Sequence, residues 1–325
     1  MGCSGVMKQY IIRRLLLFIP TALGVSIFIF SMLHVIPGDY ATALLMGRDK
    51  ASSATEEDFA KARAKLGLDK PVPEQYVRWL GNFVTGDFGT SYSNRKPVIE
   101  RILPRVALSF ELGFLAVFLA LVIALPGGVL AAVKQDTWID YVLRSASMLF
   151  ESMPNFWIGL LVIVGLLWAF DWIPPIAYRE LWVDPWSNIQ SLFFPALIVG
   201  ARSSAGMLRM TRSSVLEVLK EDYVRTANAK GLSQFIVLGV HVLRNALLPV
   251  VTLAGFEVVF LMGGLVVIES VFNLPGIGKL FVQGVAARDY PVIQAIVMFI
   301  ALIVLFANLV VDLLYAWLDP RIRYT

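Results

Sequence analysis

Cysteine is almost missing from this chain of 325 residues, where Cys3 stands alone. A single cysteine excludes an internal disulfide and any cysteine-rich metal site. Histidine is nearly as scarce: His34 and His241 lie far apart, and neither sits in a His-Glu-x-x-His pattern or beside a pair of carboxylates at a recognisable spacing. Metal catalysis is therefore not expected, and no catalytic or metal-ligating residue is assigned. The pattern Gly-x-x-x-x-Gly-Lys-[Ser/Thr] is also lacking, which removes the loop that cradles nucleotide phosphates. The chain is expected to hold no cofactor of its own. Charged residues make up only 16% of the sequence against 58% hydrophobic ones. With a mean hydropathy of +0.71, this composition does not suit a water-exposed surface and places the chain in a membrane.

A bilayer core about 30 Å thick needs roughly 20 mostly apolar residues per helical span. Apolar runs of that kind fall at 10–36, 106–133, 141–170, 191–215, 246–268 and 291–317, predicting six helices. The run after Arg14 is too long for a signal-peptide core and no small-residue cleavage site follows it, so it reads as a retained helix. Short loops rich in Lys and Arg stay on the cytoplasmic side. The N-terminus carries Lys8, Arg13 and Arg14 without an acid. The segment 202–244 carries Arg202, Arg209, Arg212, Lys220, Arg225, Lys230 and Arg244 against Glu217, Glu221 and Asp222. The loop around Asp171, Arg179, Glu180 and Asp184 is acidic. Both termini and the 202–244 segment are thus expected in the cytoplasm, and Arg202, Arg209 and Arg212 are expected to anchor the fourth helix at the inner surface. The opening Met-Gly-Cys-Ser-Gly-Val only partly fits a lipidation signal, because Val6 stands where Ser or Thr is wanted. Met7 is an equally good start.

The polar stretch 37–105 is then external. Ser53 and Glu56 form a capping-box pattern, and Gly67 is a helix stop. A second short helix follows Pro71 and Pro73. This stretch is either a solvated spacer or a docking surface for an extracytoplasmic partner.

Between the fourth and fifth spans lies EVLKEDYVRTANAKGLSQFIVLGVHVLRNALLP, too polar to span and too patterned for a random loop. Val224, Ala227, Leu232, Phe235, Ile236 and Leu238 can form an apolar stripe opposite Arg225, Lys230 and Gln234. Gly231 falls where one helix can end and another begin. The order Arg225-Thr226-Ala227, then Gly231, resembles the Glu-Ala-Ala-x-x-x-Gly motif of binding-protein-dependent ABC permeases, with Arg225 in place of the Glu, Thr226 in place of the first Ala, and Arg244 about where a later Pro falls. Other segments add to this resemblance: IIRRLLLFIPTALGVSIFIF, HVIPGDYA, KLGLDKPVPEQYVRWLGNFVTGDFGTSY, ESMPNFWIG, NLPGIGKLFVQGVAARDYPV and DPRIRY. Together they are similar to the B-type permease subunit of dipeptide/oligopeptide ABC importers along nearly the whole chain.

That resemblance implies an all-α, polytopic membrane protein with six transmembrane helices in the type I ABC importer permease fold, located in the cytoplasmic (inner) membrane. The domains it implies are a cytoplasmic N-terminus with the first helix at 1–36, an extracytoplasmic loop domain at 37–105, a permease core at 106–317 with a coupling segment at 216–245, and a cytoplasmic tail at 318–325. It implies a second homologous permease, two cytoplasmic ATPases that bind ATP and Mg, and an extracytoplasmic solute-binding protein. The ATPase contact carries over to Arg225, Thr226, Ala227, Lys230, Gly231 and Leu232. Import of dipeptides or oligopeptides by alternating access is the implied activity; related systems carry oligosaccharides or nickel, so those solutes remain open.

Carboxylates inside predicted spans are costly unless they face water or a cation. Glu111 and Asp312 lie near span ends. Glu151 lies beside Pro154 and Asn155, and Glu257 lies among Gly255, Gly263 and Gly264. Glu151, Asn155 and Glu257 are the candidate translocation-pathway residues. Two other classes stay in view: a proton-driven secondary transporter using these carboxylates, and an intramembrane enzyme with Glu151 or Glu257 as base. The first lacks a visible inverted repeat, the second a nucleophile.

Overall fold

The computed structural model describes residues 3–35, 55–175 and 178–318. Residues 36–41 of HVIPGDYA, Ser53, the DPRIRY tail and the side chains of His34 and Asp312 lie outside the described residues. Among the described residues the structure is helical, and its one extended pairing is an isolated antiparallel bridge between Thr90 and Pro97. The chain divides into two compact units, Met1–Ser109 with Pro275–Thr325, and Phe110–Leu274.

In the first unit, α1 (Cys3–Val35) runs along the last helix, α13 (Tyr290–Leu318). Helix α2 (Glu56–Leu66) begins at Thr55, whose side chain accepts from the Asp58 amide while Asp58 accepts from the Thr55 amide. The capping box thus falls two residues later than the expected Ser53 and Glu56, on Thr55 and Asp58. Gly67 ends α2 at φ 69°, a left-handed conformation that costs glycine little.

Helix α3 (Val72–Val84) follows, with Pro73 in its first turn. Its Tyr76, Trp79 and Phe83 repeat every three or four residues and so share a face. Tyr76 and Trp79 pack on Phe30 of α1 at ring distances of 5.5 and 5.7 Å, and Tyr76 shares a 2.7 Å hydrogen bond with Ser26. The start of α4 (Val98–Val133) buries Val98 and Ile102 against Ile277 and Leu280 of α12 (Ile277–Ala286) and Val292, Ala295 and Ile296 of α13.

The second unit is built around α7 (Pro185–Val218), capped by Asp184, which accepts from the Ser187 amide at 3.1 Å. Helix α4 crosses α7 where small residues let the backbones meet: a Cβ on Gly200 would lie 2.6 Å from the Ala116 carbonyl oxygen. The expected single span at 141–170 is two helices, α5 (Trp138–Ser152) and α6 (Asn155–Phe170), bent by 102° at Met153–Pro154. The proline ring pushes the residue before it out of the helical region, and Met153 is extended at ψ 136°. After α7 come α8 (Asp222–Ala229), α9 (Gln234–Ala246, with a π-helical stretch at Val237–Val242), α10 (Leu248–Gly264) and α11 (Val266–Val271). Helix α9 meets α10 at 51°, with Pro249 in the first turn of α10.

Four helices are long and apolar enough to cross a membrane, and the two bent pairs raise this to six if each is one span. The six-span expectation thus stands if each bent pair is one span, and the second pair begins at Gln234, before the expected 246–268.

Candidate coupling and pathway site

Helix α8 is short, eight residues, and too short to be stable by propensity alone. It is held by burial. Val224 and Ala227 lie inside a cluster with Ala132 of α4, Val215 of α7 and Val237, Val242 and Ala246 of α9. The π-helical stretch places Val237 and Val242 on the same buried side, both fully covered.

Gly231 turns the chain at φ 77°, its amide donating to the Asn228 carbonyl at 3.0 Å. Gln234 donates to the Asn228 side chain at 3.2 Å across this turn, and Asn245 donates to the Tyr223 hydroxyl at 2.8 Å. Helix, turn and helix are thereby tied at both ends.

The apolar stripe read from the sequence divides between two surfaces. Val224 and Ala227 face inward, so Ala227, assigned to the ATPase contact, packs α8 onto its own unit. Leu232, Phe235 and Ile236 face outward, and Phe235 is 87% exposed. The turn at Gly231 makes the difference, because it breaks the helical phase that would have kept all six on one side. Arg225, Thr226, Asn228, Lys230 and Gly231 are exposed beside them. Phe235 and Ile236 were not among the residues that the motif singled out; their exposure depends on the turn.

Deeper in the same unit, the carboxylates are engaged. Glu151, at the end of α5, accepts from Arg209 Nη1 at 2.7 Å and Nη2 at 3.2 Å. Glu257 of α10 is half-buried and accepts from Ser203 of α7 at 3.1 Å. Both carboxylates thus reach side chains of α7, Ser203 and Arg209. Asn155 opens α6 immediately after the break, and its Oδ1 is buried without a hydrogen-bond partner among the described residues.

Glu111 accepts from Tyr178 at 2.8 Å, and burial first, then this hydrogen bond, pushes the Tyr178 hydroxyl well above its ordinary range. Glu111 thus holds the loop before α7.

The three arginines of α7, expected to anchor it at the inner surface, differ in their partners. Arg209 bonds Glu151, Arg212 bonds Asp140, and Arg202 lies at the centre of a helix of 34 residues. Arg202 and Arg209 are seven residues apart, nearly two full turns, and so lie on one face about 10 Å from each other. That spacing was the available sequence signal.

Residues 124–324 match the family described as binding-protein-dependent transport system inner membrane component, and residues 7–113 match the N-terminal family of the same transport-system membrane components. The oligopeptide transport system permease protein AppB of Bacillus subtilis (strain 168) is 43% identical, over 98% of this chain and all of that protein. The dipeptide transport system permease protein DppB of Escherichia coli (strain K12) is 38% identical, over 98% of this chain and 99% of that protein. A solved amino acid ABC transporter crystallised with histidines shares the fold with a TM-score of 0.50 at 16% identity, over 67% of this chain and 94% of that one. With its helical spans and with matches that cover nearly its whole length, the chain belongs to the family of binding-protein-dependent transport system inner membrane components, as an integral inner-membrane permease subunit of a multi-subunit transporter.

Proposed function

We propose that this permease carries dipeptides or oligopeptides into the cell, driven by ATP that partner ATPases hydrolyse. The observation that carries this reading is the α8–α9 hairpin. It presents Arg225, Thr226, Lys230, Leu232, Phe235 and Ile236 outward on a base fixed by Val224, Ala227, Val237 and Val242. An exposed apolar group ringed by polar residues, on a short element that is itself rigidly packed, can transmit a push.

In this reading the hairpin, with both termini, lies in the cytoplasm. Two ATPases that bind ATP and Mg dock there, one on this chain and one on a second permease. An extracytoplasmic binding protein delivers the solute. Closure of the ATPases biases the permeases between inward- and outward-open arrangements. Glu151, Asn155 and Glu257 border the path. The peptide solute rests on the names of the relatives at 43% and 38% identity.

The test is uptake by the reconstituted complex. In Gly231→Pro, proline cannot adopt φ 77° and lacks the amide that bonds Asn228, so ATP-dependent peptide uptake should collapse. Phe235→Ala should lower uptake and peptide-stimulated ATP hydrolysis by about tenfold, a hot-spot loss, and leave thermal stability unchanged. Uptake that persists in Gly231→Pro, or that follows a pH gradient and ignores ATP, would sink this reading.

A further inference from the structure

Helix α7 has 34 residues, and a span needs roughly 20 of them. The stretch read from the sequence, 191–215, puts Arg202 near its middle. At 1.5 Å per residue it stands roughly 16 Å or more from either end of that stretch, too far for its side chain to reach an interface by extending.

The face around it is polar. Arg202, Gly206, Arg209, Ser213 and Glu217 follow one another at intervals of three or four residues, which sets them in a line along the helix. Arg202, Ser213 and Glu217 are exposed and Gly206 and Arg209 half-buried. The outer half of the same helix exposes Trp186, Ile189 and Phe193. A line of this composition does not suit hydrocarbon, and it suits the wall of a water-filled path.

Along this wall Arg209 has a countercharge and, among the described residues, Arg202 has none. Arg209 is held by both oxygens of Glu151, and Glu257 accepts from Ser203. Arg202 makes no hydrogen bond or ion pair among the described residues. It is a guanidinium in the middle of the membrane, exposed toward the path, with its planar fork of donors unused. That fork is shaped for two parallel hydrogen bonds to a carboxylate.

We propose that Arg202 binds the terminal carboxylate of the peptide as it crosses, and so selects solutes with a free C-terminus. This rests on the peptide-import reading above. Side chains differ from one peptide to the next, whereas the terminal carboxylate is common to all of them, so one fixed guanidinium serves a permissive transporter. The neighbouring Glu151–Arg209 pair keeps Glu151 from neutralising Arg202. Because Ser203 holds Glu257, that carboxylate too is kept off the guanidinium.

The experiment uses the whole complex in proteoliposomes at saturating binding protein, with trialanine and trialanine amide as paired probes. Wild type should take up trialanine at least tenfold faster than the amide. Arg202→Gln should bring that ratio close to one by slowing trialanine, with the amide rate kept. Since the binding protein is the same in both, a changed ratio belongs to the permease.

Arg202→Lys offers a point charge in place of the fork and should give an intermediate ratio; it carries the test if the glutamine variant fails to assemble. A ratio that Arg202→Lys leaves at the wild-type value, a wild type indifferent to the amide, or equal slowing of both peptides would each overturn the assignment. Equal slowing would point instead to a carboxylate of the second permease as the partner of Arg202. If the wild-type complex takes up neither probe with ATP, the import reading itself fails.

Discussion

Arg212 donates to both oxygens of Asp140, Nε to Oδ1 at 2.8 Å and Nη2 to Oδ2 at 2.7 Å, and Asp140 is completely buried. The Asp136 amide adds a third donor at 3.1 Å. The pair fastens α5 to α7 next to the buried cluster beneath the hairpin, so it sets the base from which α8 and α9 project.

Removing one partner leaves the other charge without compensation. Arg212→Leu should destabilise the solubilised protein by about 3 kcal/mol, the lower end for a broken buried pair because the Arg212 side chain keeps 18% of its exposure. The double variant Asp140→Leu with Arg212→Leu should recover part of that loss, since two apolar side chains can fill the space. Thermal denaturation of Arg212→Leu, Asp140→Leu and the double variant measures the cycle. A double variant as unstable as the sum of the singles would show that the two residues act independently.

The crossing of α4 and α7 depends on Gly200. An added methyl there meets the Ala116 carbonyl oxygen at 2.6 Å, and the Ala120 amide nitrogen and Leu119 Cβ at 3.2 Å. None of these is the free end of a flexible side chain. Gly200→Ala should therefore cost about 1–3 kcal/mol by forcing the helices apart. Gly206, on the same helix, has nothing within 4 Å of the corresponding position. Gly206→Ala should leave stability unchanged, or raise it by up to about 1 kcal/mol through helix propensity. Denaturation of the two variants side by side checks the contrast.

Asp289 closes the first unit at a distance in sequence. It is fully buried and accepts from Ser91 Oγ at 2.5 Å, the Tyr92 amide at 2.9 Å and Arg101 at 3.1 Å. Burial, then the charge of Asp289, holds the Tyr92 hydroxyl well above its ordinary value of 10.0. A raised value in the folded state means that the unfolded chain loses its proton first. The stability tied to this group is fully present below pH 10 and is lost as pH rises further. Wild type should lose more stability than Tyr92→Phe between about pH 10 and 11. Parallel loss in the two proteins would show that Tyr92 contributes nothing to the alkaline transition.

The spans were legible because runs of apolar residues of membrane length are a local property, readable by counting. So was Gly231, since a helix must stop where its polar pattern changes and glycine accepts a positive φ. The break at Pro154 was half legible: the proline was seen, but the 102° bend depends on what α6 packs against. Glu151 was marked as a pathway candidate, but its partner Arg209 lies 58 residues on. Asp140 and Asp289, whose partners lie 72 and 198 residues away, drew no notice at all. Hydropathy cannot distinguish a buried acid from a solvated one.

The sequence by itself determined the class of molecule, its long apolar helices and the place of its turn at Gly231, because each follows from the solubility and backbone preference of neighbouring residues. Only the tertiary structure decided which face of that turn is free and which is buried, and which arginine of α7 is left without a carboxylate. Those depend on the phase of one helix against another, and phase is set by packing between residues far apart in the chain.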